Sequence, residues 1–82
     1  MTYGERVKFA RLKLGVSIAE FAVLLGANEG TVENAECSKD GSYKLGFNKM
    51  KKIIELANLP AGWFFYNDNE IDLYVNKGII TP

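Results

Sequence analysis

The 82-residue sequence predicts an all-α domain, on three observations. Its only prolines are Pro60 and Pro82, so most of the chain keeps the backbone amides that helices need. Apolar residues return at three- and four-residue intervals, as at Val7, Ala10 and Leu14. Glycines followed by small capping residues interrupt that pattern around positions 15–17 and 26–28.

The spacing predicts a first helix over about Thr2 to Leu14, closed by Gly15 as a left-handed C-cap. Ser17, with Glu20 three residues on, forms a capping box for a second helix running to Leu25, and Gly26 ends it. Asn28 caps a third helix, roughly Glu29 to Cys37, with Val32 and Ala35 inward and Cys37 partly buried at its end. Ser38 to Tyr43, which contains Gly41, reads as a loop. Asn48 is the expected cap of a fourth helix through Ala57, with Met50, Ile53, Ile54 and Ala57 on one face. Pro60 stands where a short fifth helix would start, and Ala61 to Tyr66 would close the core with Trp63, Phe64, Phe65 and Tyr66, a cluster that also allows a dimer anchor. Residues 1–66 are then the domain and 67–82 a short C-terminal extension. Asp68 to Lys77 read as a helix closed by Gly78, with Ile71 and Tyr74 or Val75 inward. The alternation of Ile71, Leu73 and Val75 also allows a hairpin. The helix is preferred.

Composition removes several classes of function. With no histidine there is no Ser-His or Cys-His pair and no imidazole metal site. A single cysteine, Cys37, forms no internal disulfide and no multi-cysteine zinc site, which points to a reducing, cytoplasmic location. The first fifteen residues, with Glu5, Arg6, Lys8, Arg11 and Lys13, are too charged for a secretory signal, and no apolar run is long enough to span a membrane. A calcium loop beginning at Asp68 fails, because Leu73 and Ile79 stand where glycine and glutamate are required. The glycines at 26, 30, 41 and 46 are followed by no Gly-Lys-Ser/Thr, so they make no phosphate loop. Glu29 and Glu33 lie one helical turn apart with no companion acid or nucleophile. Neither an enzyme nor a cofactor or metal is expected.

Charge is the informative feature. Ten basic and ten acidic residues cancel, but they are segregated along the chain. Residues 1–13 carry +3, residues 14–38 carry −4 without one Lys or Arg, residues 39–55 carry +3 and residues 56–82 carry −2.

Two short helices joined by Gly26-Ala27-Asn28 are what a helix-turn-helix requires. The stretch GVSIAEFAVLLGANEGTVENAE, followed by FNKMKKIIELANLPAGWFF, resembles the Cro/cI-type (XRE) helix-turn-helix family. Gly15, Ser17, Glu20, Phe21, Ala22, Leu25, Gly26, Thr31, Val32 and Glu36 fall where members carry the same or similar residues. The resemblance covers about residues 4–66 and implies a five-helix, lambda-repressor-like bundle with a role in transcription. It also implies that Glu36 is structural. By the same resemblance, Ile18 and Ala19 lie where the second helix holds a phosphate. Asn28, Glu29, Gly30, Glu33 and Asn34 lie where the third helix reads bases, and Lys39, Lys44, Asn48 and Lys49 where backbone is gripped.

The sequence departs from that pattern at the DNA contacts. Phosphates supply most of the binding energy and repel carboxylates, yet Glu29 and Glu33 project from the reading helix. Ile18 replaces the usual polar phosphate ligand. Phe9, Leu12, Ile18, Ala19 and Val23 occupy places where relatives tend to be polar, so the second helix is hydrophobic nearly all round. Two main readings follow, beside a third in which the chain is a self-assembling module with no DNA of its own. In the first, the protein is a modulator or antirepressor resembling those of temperate-phage switches. It binds a cognate repressor protein through Phe9, Leu12, Ile18, Ala19, Val23, Glu29 and Glu33. In the second it is a repressor that binds operator DNA as a homodimer. There Asn28, Glu29, Gly30, Glu33 and Asn34 read bases, while Lys39, Lys44, Asn48 and Lys49 lie along the backbone.

Overall fold

The computed structural model describes residues 1–39 and 43–76, and of Tyr74 and Val75 the backbone only. The described chain is helical: α1 (Tyr3–Leu14), α2 (Ile18–Leu25), α3 (Glu29–Glu36), α4 (Phe47–Ala57) and α5 (Asp68–Asn76). No strand occurs among the described residues, and none of these helices is long and apolar enough to cross a membrane.

Local chemistry sets the first three helices. Thr2 and Glu5 make a reciprocal capping box at α1: Glu5 N–H donates to Thr2 Oγ1 at 3.2 Å, and Thr2 N–H donates to Glu5 Oε1 at 2.9 Å. Hydrogen bonding from the Thr2 backbone amide, and after it from the Thr2 side chain, holds the Glu5 carboxyl below its usual range. Ser17 and Glu20 repeat the device at α2. Asn28 Oδ1 accepts from Thr31 N–H at 2.9 Å at the start of α3. Gly15 and Gly26 end α1 and α2 at φ 71° and 68°, where an L side chain is strained.

Three boundaries differ from the sequence expectation. Gly46, not Asn48, is the N-cap of α4, and Asn48 lies in its first turn. Buried Leu45 fixes the chain just before it, and its N–H donates to Tyr3 Oη at 2.9 Å. Cys37 is the C-cap of α3 and is exposed rather than partly buried. Residues 61–65 form hydrogen-bonded turns, not a fifth helix, with Trp63 N–H donating to Pro60 O and Phe65 N–H to Gly62 O. Trp63 and Phe64 both enter the core while Phe65 is left outside. The fifth helix is α5, in the segment whose pattern allows a helix or a hairpin, and its Ile71 joins the main core. Lys77 and Gly78, which would close that helix or turn the hairpin, lie outside the described residues, as do Asp40, Gly41 and Ser42 of the loop.

The core gathers around fully buried Trp63, Phe21, Ile53, Val7 and Val32. As expected, Ala10, Ala35 and Ala57 are buried with them, whereas Met50 and Ile54 are only partly covered. α1 packs on α3 and α4, and α2 packs on α3. Two polar seams fix those contacts. Arg6 Nη1 donates to Trp63 O at 3.0 Å, while Trp63 Nε1–H donates to Arg6 O at 3.2 Å. Gly4 N–H donates to Ser38 O at 2.8 Å. A Cβ at Gly4 would lie 2.2 Å from Glu36 O, so this approach of α1 to the end of α3 requires glycine.

Candidate interaction face

α3 turns two chemically different sides to its surroundings. Inward, Val32 and Ala35 are buried. Beside them Glu36 accepts two bonds from Arg11, from Nε at 2.8 Å and from Nη2 at 3.2 Å. Arg11 Nη1 also donates to Val16 O at 3.0 Å, and the two side chains are only 12% and 8% exposed. This fork ties the α1–α2 connection to the end of α3 and so sets the angle at which α2 and α3 are presented.

Outward, Glu29, Gly30, Glu33 and Asn34 are all exposed. Neither Glu29 nor Glu33 forms an ion pair among the described residues. Asn28 is exposed too, but its Oδ1 is taken by Thr31 N–H and by Thr31 Oγ1 at 2.8 Å, leaving only its amide hydrogens to offer. The nearest basic segment is less available than its sequence charge suggests. Arg11 is committed to Glu36, and Arg6 to Trp63 O, with Asp68 3.8 Å from its Nη2. Of the four basic residues in the first thirteen, Lys8 and Lys13 remain without an ion pair among the described residues.

The apolar candidates separate into two groups. Val23 is 79% exposed and Leu12 59% exposed, and Ala19 is exposed as well. Phe9 and Ile18 are half-buried and pack on the core. The Phe9 ring lies 5.1 Å from that of Trp63, tilted by 39°, so most of its apolar area already has a use. Ile18 lines a shallow depression with Lys8, Arg11, Glu33 and Asn34, which brings it to the acidic side of α3. Val23 meets a different set, lining a depression with Leu24, Asn48, Lys49 and Lys52.

Lys39, Lys44 and Asn48 are exposed and Lys49 is half-buried. None of these lysines makes an ion pair among the described residues. Lys39 and Lys44 border a recess with Tyr3 and Arg6, away from the groups that meet Val23. In that recess burial pushes the Tyr3 phenol up, partly offset by the bond from Leu45 N–H. Leu24 is exposed beside Val23, in the depression with Lys49 and Lys52, and the unbroken apolar run of α2 carries its signal in the sequence. No cluster of three or more Cys, Asp or Glu side chains able to hold a metal occurs among the described residues. Comparison with protein-family models, curated proteins and solved structures finds no match to this chain.

Proposed function

We propose that the chain is a Cro/cI-like helix-turn-helix protein of transcription regulation, acting in a bacterial or phage-infected cytoplasm as a modulator or antirepressor. It docks the outer side of α2 and α3 on a cognate regulator protein, blocking that protein's DNA contacts or altering its assembly. The observation that carries this reading is the outer side of α3, where Glu29 and Glu33 stand exposed and without an ion pair. Duplex DNA presents about one negative charge per 1.7 Å of axis, so carboxylates in a groove add repulsion where this fold usually supplies cations. A basic protein surface reverses the sign of that term. Exposed Val23 and Leu24 on α2 add the apolar area that a protein partner can cover and a phosphate backbone cannot. Catalysis and cofactors form no part of this reading.

The second reading, an operator-binding homodimer, is favoured by the lysines without ion pairs at 39, 44, 49 and 52. The two are separated by calorimetric titration of the purified protein into the regulator encoded beside its gene, with and without that regulator's operator DNA. A complex that excludes the operator is expected. The Glu29→Lys/Glu33→Lys variant should weaken it by roughly 30-fold or more, since like charges then face each other. Equal binding of wild type and variant, or no complex at all, overturns the modulator.

A further inference from the structure

α2 and α4 pack on each other and leave a groove of one charge sign between them. Its α2 wall is Val23, Leu24 and Leu25, and its α4 wall is Asn48, Lys49 and Lys52. Val23 is 79% and Leu24 43% exposed, so two alkyl side chains stand uncovered beside two cations. Neither lysine forms an ion pair among the described residues, and no carboxylate among them lines the groove. Glu20, the one acid of α2, borders the other flank of the Val23–Leu24 ridge, and its Oε1 already accepts from Ser17 N–H at 3.2 Å.

We propose that this groove receives an acidic amphipathic helix of a partner protein, with its apolar stripe on Val23 and Leu24 and its carboxylates on Lys49 and Lys52. Charge sign and spacing both select that occupant. Lys49 and Lys52 stand at i and i+3 on α4, which sets their Cβ atoms about 5–6 Å apart. Two carboxylates one turn apart on a partner helix repeat that spacing. An apolar stripe beside them fits a groove between two helices, as in other helix-in-groove complexes.

Other occupants satisfy only part of the groove. A phosphate backbone would neutralise the lysines but offers no alkyl surface to cover Val23 and Leu24. A basic helix would cover the alkyl groups and face two cations of its own sign. Basic residues added to an acidic helix gain nothing here, because no carboxylate of this chain lines the groove. The proposal extends the modulator reading in the chemistry that covers Val23 and Leu24. It does not rest on Glu29 and Glu33, which lie on α3 outside the groove, so either can fail without the other.

Amide NMR shifts of the isotope-labelled whole chain, at about 150 mM salt, test it against two designed helical peptides of about 18 residues. Both peptides carry the same leucine stripe, flanked by glutamate in one and by lysine in the other. The acidic peptide is expected to shift the amides of Val23, Leu24, Asn48, Lys49 and Lys52, half-saturating on the order of 100 μM. The basic peptide should bind there about tenfold more weakly or worse. Lys52→Glu, at an exposed position, should weaken the acidic peptide by about threefold or more, and Lys49→Glu/Lys52→Glu by about tenfold or more. Val23→Ser should weaken it by about threefold or more with an unchanged circular dichroism spectrum. No shift by about 1 mM, equal response to the two peptides, or variants that bind like the wild type would each overturn the proposal. Tighter engagement of the same amides by a DNA duplex or by phosphatidylglycerol vesicles than by the acidic peptide would also overturn it.

Discussion

Glu36 and Glu33 are three residues apart on α3 and are treated in opposite ways. Glu36 is shielded from water and forked onto Arg11, and that pair holds α1, the α1–α2 connection and α3 in one arrangement. Glu33, with Glu29 one turn before it, faces outward without an ion pair among the described residues. The difference shows that charge counted along a sequence is not charge presented by a surface. Both arginines of the chain are used inside, on Glu36 and on the Trp63 carbonyl, so the exposed cationic groups are lysines. Within the acidic segment at 14–38 Arg11 is spent on Glu36, and neither arginine is left to offset Glu29 or Glu33.

The sharpest way to break this comparison is to remove the inner carboxylate. Glu36→Ala leaves the Arg11 guanidinium largely enclosed with only the Val16 carbonyl, and the expected loss is about 3 kcal/mol in urea-induced unfolding. A loss near zero would mean that inner and outer glutamates do not differ. Gly4→Ala tests the same seam by sterics, because the new methyl would sit 2.2 Å from Glu36 O and 2.9 Å from Ser38 O. Backbone carbonyls cannot rotate away, so roughly 2 kcal/mol of destabilisation is expected, read as a lower melting temperature. On the outer side, Glu29→Gln/Glu33→Gln should change stability by no more than about 0.5 kcal/mol. A larger loss would show that those carboxylates hold the fold together.

The parts legible in the sequence are those fixed by local chemistry. Ser17 with Glu20, Asn28, Gly15 and Gly26 act within a turn of their own position, and the structure places each as expected. The parts that were not legible depend on distant partners. Pro60 and four aromatic residues read as the start of a helix, but Trp63 is held by Arg6, 57 residues away, and the local chain forms turns to let Trp63 and Phe64 enter the core. Gly46 outranks Asn48 as a cap because Leu45 is pinned by burial and by Tyr3. Phe9 and Ile18 read as free apolar surface since nothing nearby in the chain marks them as core-facing, whereas Val23 and Leu12 are exposed. Phe65 reads with its aromatic neighbours yet stands outside the core, and Phe47 is exposed as well. Phe47, Met50 and Ile54 continue the single apolar stripe of α4 beyond the part that Ile53 and Ala57 bury.

The most direct test of the outer face is a fluorescence titration of the protein alone against DNA from upstream of its own gene, at low and at physiological salt. Binding no tighter than about 10 μM at physiological salt, indifferent to sequence and unaltered in specificity by Glu29→Gln/Glu33→Gln, is the expected result. Sequence-specific binding at about 10 nM or tighter, with a steep salt dependence, would contradict it and assign the face to DNA.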